Sequence, residues 1–329
     1  MKYPKTTIFI SLLVVFFISN YFINKTDITE GEKTSKTKTN LIISDETEVI
    51  DMLAFGDLML GRFVETLISR GENMFENIEE LMKKNKYILV NLEHPITTSQ
   101  FSTKQGINLK MNPENIPLLQ KNGINLVSLA NNHIEDYQQQ GIDDTLNYLD
   151  KSDIEHFGIQ NQPLIKDENG IKLAFFGINA LWGNINPYYK SIENIKNKVD
   201  HVIVSIHWGD EYESLPSDNQ TEIGHKLIDS GATIILGHHP HTTQPVEKYQ
   251  DGIIFYSLGN FIFDQLDPIT QKELGVEMKI TKNNINFQLH PMTVKNFKPE
   301  LLLHNKATLE CKNLTPTIEL ENICIFNLN

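Results

Sequence analysis

The apolar positions of this chain fall into short continuous runs that end abruptly in polar, chemically capable residues. The runs are MLAFGD (52–57), YILVNLEH (87–94), INLVSLANNH (124–133), VIVSIHWGDE (202–211), TIILGHHPH (233–241) and IIFYSLGN (253–260). Unbroken Val/Ile/Leu stretches of this length predict strands buried on both faces. Between them, 75–85, 142–152 and 221–231 carry helix-like patterns, the last closing on Gly231 as a helix stop. Alternating strands and helices predict an α/β layered fold. In such folds ligands bind beyond the carboxyl ends of strands, so the acids, amides and histidines ending these runs would share one rim. After Leu274 the pattern predicts a β-hairpin turned at Asn283–Asn284. From Lys295 onward the chain is polar and irregular, and 296–329 reads as a small accessory segment.

The amino-terminal pattern is different. Lys2 and Lys5 precede a nearly unbroken apolar run over 7–23, about 17 residues and so at the lower end of what spans a bilayer. The basic flank places 1–6 in the cytoplasm and the rest outside. Tyr21, Phe22 and Ile23 occupy the place where a cleavage site would need small residues. The run therefore reads as an uncleaved transmembrane signal-anchor of a single-pass cell-membrane protein. Residues 24–48 are rich in Thr, Lys and Glu without an aromatic, and read as a flexible stalk. The folded domain then covers 49–295.

Charge narrows the partners. A net charge of −13 lacks the basic footprint of a nucleic-acid binder, so no nucleic acid is expected. It leaves anionic substrates open, because a bound divalent metal reverses the local field. Cys311 and Cys324 are the only cysteines and no CxxC occurs, which excludes a thiolate zinc cluster. Outside the cytoplasm the two could form a disulfide closing a small loop; two separate strand-facing thiols are the alternative.

The strand ends carry the candidate chemistry. GHHPH supplies His239 and His241 on a loop stiffened by Pro240; neutral imidazoles are common ligands for zinc-like metals. His238 should point away from its neighbours and is left out of the metal set. His207 ends its run before Trp208, Gly209, Glu211 and Tyr212, a tight turn with polar and aromatic walls. Asp57 follows Gly56, and Glu93 is a second acid at a buried strand end, where a buried carboxylate needs a partner. His94 is followed by Pro95 and reads as a structural corner or a further ligand. Asn132 offers a weak amide ligand, and His133 beside it suits proton transfer. Asp136, three residues on, is spaced to orient His133. Arg62 follows the first loop and is a candidate to meet an anion bidentately.

In order and spacing, Gly-Asp, Asn-Leu-Glu, Asn-Asn-His, His-Trp-Gly, His-Pro-His and YSLGNFIFDQ (256–265) resemble the CapA family of poly-γ-glutamate capsule synthesis proteins over about 50–295. That family looks like a branch of the calcineurin-like metallophosphoesterase superfamily. The resemblance implies an α-β-β-α sandwich of the metallophosphoesterase type and two divalent metal ions (Mn, Fe, Zn or Mg). It implies that Asp57 and His241 hold one ion, that Asn132, His207 and His239 hold the other, and that Glu93 bridges them. His133 matches the histidine that protonates a leaving group. Met59 stands where the superfamily usually has histidine, which leaves the first ion fewer protein ligands.

Three functions follow. The first is an extracytoplasmic accessory protein for synthesis or export of poly-γ-glutamate or a similar capsule polymer, partnered by membrane-bound synthase or export subunits. No GxxxxGKS/T loop occurs, which excludes a nucleotide-driven ligase by that route. The second is a stand-alone metal-dependent phosphoesterase, with two ions activating water and clamping a phosphoryl group. The third is a non-catalytic scaffold with a degenerate metal site, which Met59 favours.

Overall fold

The computed structural model describes residues 48–102, 107–322 and 324–328. The signal-anchor and stalk expected before Glu48 lie outside the described residues. Among those described, no helix is long and apolar enough to cross a membrane.

The chain first lays down β1 (Ile50–Leu58), β2 (Tyr87–Leu92), β3 (Leu126–Ser128) and β4 (Glu155–Phe157), all parallel to one another. It then builds β5 (Leu164–Glu168), β6 (Ile171–Asn179), β7 (His201–His207), β8 (Ile234–His238), β9 (Val246–Tyr249) and β10 (Gly252–Phe255). It returns with β11 (Asn260–Ile262), β12 (Lys272–Ile280), β13 (Ile285–Lys295), β14 (Lys298–Leu301) and β15 (Ile325–Leu328). One sheet runs β14-β13-β12-β1-β2-β3-β4, with β11 beside β1 and β15 beside β13; the other runs β5-β6-β7-β8-β10-β9. The helices are α1 (Arg62–Ser69), α2 (Glu79–Met82), α3 (Ile116–Lys121), α4 (Gln138–Lys151), α5 (Asn186–Ile195), α6 (Asp218–Ser230) and α7 (His304–Leu314).

Strand side chains alternate between faces, and both faces of the central strands are apolar. Leu53 and Phe55 of β1 join Val64 and Leu67 of α1 and Leu149 of α4 in one core. Met52 and Ala54 point the other way and pack with Phe175, Ile203, Leu236 and Phe255 of the second sheet. On that sheet's far side, Phe176, Val204 and Ile235 meet Ile192 of α5 and Leu227 of α6. These three cores separate four layers: helices, sheet, sheet, helices. The continuous apolar runs have this cause, since each strand faces a core on both sides.

The helical pattern at 221–231 becomes α6, opened by Ser217, whose hydroxyl accepts from the Gln220 amide at 3.2 Å. It closes on Gly231, whose φ of 120° suits glycine. The pattern at 75–85 yields only the single turn of α2. Before it, the Asn73 side chain accepts from the Phe75 amide at 3.1 Å, and 74–78 form turns rather than helix. The hairpin forms as predicted, Ile280 facing Ile285 across a turn containing Asn283 and Asn284. Beyond Lys295, β14 and β15 both pair with β13 and so extend the first sheet. Cys311 of α7 is disulfide-bonded to Cys324, with Cα atoms 5.5 Å apart, which settles the alternative left open by the sequence.

Candidate metal centre

Parallel strands from both sheets bring their carboxyl ends to one place. Asp57 lies near the end of β1, Glu93 follows β2, Asn132 and His133 follow β3, His207 ends β7, and His239 and His241 follow β8. Gly56 permits the close approach this requires: a Cβ there would lie 1.9 Å from the Gly259 carbonyl oxygen, and the Asp57 amide donates to that oxygen at 2.9 Å. His239 and His241 both adopt positive φ, 94° and 57°, on either side of Pro240. Backbone strain of this kind persists where surrounding structure holds it, often at functional sites.

Asp57 is fully buried. Its Oδ1 accepts from Asn91 Nδ2 at 2.8 Å, and its Oδ2 accepts from the His239 amide at 3.1 Å. Burial raises its pKa, but hydrogen bonds and charge from His238 and His241 outweigh that and hold the carboxyl well below its ordinary value. Glu93 is equally buried, yet neither carboxylate oxygen has a hydrogen-bond partner. Its Oε1 lies 3.8 Å from Nε2 of His207 and 3.8 Å from Nε2 of His241. Burial, then the charges of Asp57 and Glu211, push Glu93 well above its ordinary pKa. A cation between these groups would reverse that field and satisfy both oxygens.

His207 and His239 are prepared as neutral donors. Burial, and next the proximity of His239, hold His207 well below its ordinary pKa, and its buried Nε2 has no hydrogen-bond partner. Burial and then His241 bring His239 down to about 4. Nδ1 of His241 lies 2.9 Å from Asn260 Oδ1, while the Asn260 amide donates to Gln265 Oε1 and the Thr270 carbonyl. Asn260 must therefore accept from His241, which puts a proton on Nδ1 and turns Nε2 towards Glu93. This is the second contact by which proteins orient a metal-bound histidine.

Among the described residues, Asp57, Glu93 and His241 form one group of possible ligands, Glu93, His207 and His239 a second, and Glu211, His239 and His241 a third, the donor atoms of each lying within 4.8 Å of one another. The buried Glu93 oxygens and His207 Nε2, without hydrogen-bond partners, beside a carboxylate and two further imidazoles, suit borderline or hard divalent ions, so the residues fit such a group. Asn132 lines a cleft of about 590 Å³ together with His239, Glu211 and Trp182.

Over residues 51–265 the chain matches the family described as Bacterial capsule synthesis protein PGA_cap. The chain belongs to that family. It is 30% identical over 292 residues to the PGA biosynthesis protein CapA of Bacillus subtilis (strain 168), covering 80% of this chain and 77% of that protein. It is 32% identical over 251 residues to the capsule biosynthesis protein CapA of Bacillus anthracis, covering 67% of this chain and 61% of that protein. Among solved structures, TT1561 of Thermus thermophilus is similar at 10% identity and a TM-score of 0.42, covering 72% of this chain and 100% of that one.

Within the PGA_cap segment, other residues take places the sequence left open. His133 Nδ1 lies 2.7 Å from Asp136 Oδ2, and its Nε2 lies 4.0 Å from Glu93 Oε1. His94 is a structural corner: its Nε2 accepts from the Leu60 amide at 3.1 Å. His238 packs against Asp57 at 3.4 Å but belongs to neither ion group. Met59 is fully buried in the outer core, its sulfur accepting from the Gly61 amide at 3.2 Å.

Arg62 corrects the sequence reading. Its guanidinium forks onto Asp264, with Nε 3.0 Å from Oδ2 and Nη2 2.7 Å from Oδ1. The geometry that would grip an anion is already used by this carboxylate. Two residues of the centre stand outside the set expected from the sequence: Asn260, although it closes the apolar run 253–260, and Glu211, which joins His239 and His241 in a third ligand group.

Proposed function

We propose that this chain is a membrane-anchored, extracytoplasmic accessory protein for synthesis or export of poly-γ-glutamate or a similar anionic capsule polymer. It carries a two-metal site of the metallophosphoesterase type and works beside membrane-bound synthase or export subunits. One observation carries the reading. Asp57, Glu93, Asn132, His207, His239 and His241 all fall inside 51–265, the segment matching the capsule synthesis family. The Cys311–Cys324 disulfide supports a location outside the cytoplasm, where such bonds persist.

Divalent ions at this site would supply Lewis-acid polarisation and an activated water. The chain's own residues define the rest. Asp57, Glu93 and His241 would hold one ion; Glu93, His207, His239 and Asn132 would hold the other. Asn260 keeps the His241 proton on Nδ1, and Asn91 steadies Asp57. Asp136 holds the Nδ1 proton of His133, so the Nε2 side, which faces Glu93, delivers a proton to a leaving oxygen.

A second reading, a stand-alone phosphoesterase, is favoured by the His133–Asp136 pair, which a purely structural metal site does not need. Deleting the gene and measuring capsule polymer tests the first reading, with loss of capsule expected. Complementation with wild type should restore capsule and His207→Ala should not. Normal capsule in the deletion strain, alongside turnover of an aryl phosphodiester by the protein, would transfer support to the second. Full rescue by His207→Ala would leave only a scaffold.

A further inference from the structure

The ion position of Asp57, Glu93 and His241 has two carboxylates and one imidazole, and Met59 turns its sulfur away into the core. Divalent ions of this kind take four to eight ligands. Glu211 is exposed on the turn after β7. That turn is fixed to the histidine loop, because the Tyr212 amide donates to the Pro240 carbonyl at 2.8 Å. The Tyr212 ring lies 6.2 Å from that of His241. Positive φ at Gly209 and Tyr212, 79° and 67°, shapes the loop so that Glu211 faces back. A Glu211 carboxylate oxygen and nitrogens of His239 and His241 lie within 4.8 Å of one another.

We infer that Glu211 is a fourth protein ligand of the Asp57–Glu93–His241 position, entering from the solvent side. The inference rests on the two-metal reading above. An exposed acid by a cluster is ordinary; here the buried Glu93 below independently marks an ion position, with both its oxygens lacking hydrogen-bond partners and Oε1 3.8 Å from His241 Nε2. On the two-metal reading the His239 position has Asn132 in addition to Glu93 and His207, so the shortfall is on the His241 side. With Glu211 that side has three carboxylates and one imidazole, a donor set that favours Mn²⁺ or Mg²⁺ over softer ions. Glu93 is sealed in the core, whereas Glu211 is exposed and borders the 590 Å³ cleft. Of the four side chains that would hold the ion, Glu211 is the one that could let go of it without opening the core.

The test is Mn²⁺ titration of the full-length protein in detergent, followed by calorimetry and electron paramagnetic resonance. Wild type should bind two Mn²⁺ with a spin-coupled signal. Glu211→Gln should weaken one ion by roughly 10–100-fold, a loss of the size seen when a metal's supporting contact is removed, and give the signal of a single ion. Glu213→Gln, which removes the same charge nearby, should leave both ions bound. Glu211→His should retain the second ion with preference shifted toward Zn²⁺. Unchanged thermal unfolding of ion-free Glu211→Gln would show that its fold is intact. Two ions bound equally by wild type and Glu211→Gln would overturn this inference alone. Fewer than two ions in wild type would overturn the two-metal reading and this inference with it.

Discussion

Nδ1 of His133 lies 2.7 Å from Oδ2 of Asp136, a carboxylate with no solvent exposure. The same oxygen accepts from the Leu109 amide at 2.8 Å. The acid is thus held from two sides and cannot turn away from the ring. Such a pair fixes which imidazole nitrogen carries the proton and which faces the reacting group.

The first prediction concerns this pair. His133→Gln should lower turnover of an aryl phosphodiester by roughly 10²–10⁴, the usual contribution of a general acid. Asp136→Asn should cost less, because the ring survives with a weaker orienting partner. Ion affinities, measured by calorimetry, should stay at wild-type values in both. If ion binding fell in step with turnover, His133 would be part of the ion site instead.

The second concerns ions and stability. A ligand that binds only the folded state at 100 times its Kd adds about 2.7 kcal/mol. Adding a chelator to protein saturated with two Mn²⁺ should then lower Tm by roughly 10–20 °C, taking about 2–4 °C per kcal/mol for a domain of this class. His207→Ala should show a smaller drop, having lost one ion position already, and no phosphodiester turnover. A wild-type Tm indifferent to chelator would remove the case that Glu93 and His207 face an ion.

What the sequence reveals follows from where its constraints lie. Asp57, Glu93, His207, His239 and His241 were legible because each ends a continuous apolar run, and two-sided burial of a strand leaves that signature. Glu211 was not, because an acid in a polar turn looks like any solvated acid until the Tyr212–Pro240 hydrogen bond brings its loop to the histidines. Arg62 was misread because its partner, Asp264, stands 202 positions away. The helix expected over 75–85 shrinks to the one turn of α2, because 74–78 and 83–84 form turns instead.

The third prediction concerns the disulfide. Cys311 and Cys324 are 13 residues apart, and closing a loop near that length stabilises a fold by about 3 kcal/mol in the chain-entropy description. Replacing both cysteines by serine should lower the denaturant midpoint accordingly. Ion affinities should be unchanged, since neither α7 nor β15 supplies a site residue. An unchanged midpoint would mean that the unfolded chain gains nothing from opening this loop.

The fourth concerns pH. His201 begins β7, and its Nε2 donates to the Thr281 carbonyl at 2.7 Å, tying the second sheet to the turn of the β12–β13 hairpin. Burial lowers its pKa, and the opposing effects of Thr281 and Asp200 do not make up for it. The folded protein therefore holds His201 neutral at pH values where an unfolded histidine, with a pKa of about 6.5, has begun to take up a proton. Where the unfolded state binds more protons, stability rises with pH. The contribution of His201 is thus complete above about pH 6.5 and shrinks as pH falls toward and through the folded pKa. His207 and His239 are depressed too and would add the same trend, so the wild-type curve alone does not isolate His201. The difference between wild type and His201→Gln, which keeps a donor but does not titrate, does isolate it. Below about pH 6.5, wild type should lose unfolding free energy faster than His201→Gln on acidification, as measured by urea denaturation at constant ionic strength. Parallel curves from pH 8 to about 5 would mean that the protonated ring is accommodated as well in the folded state as in water.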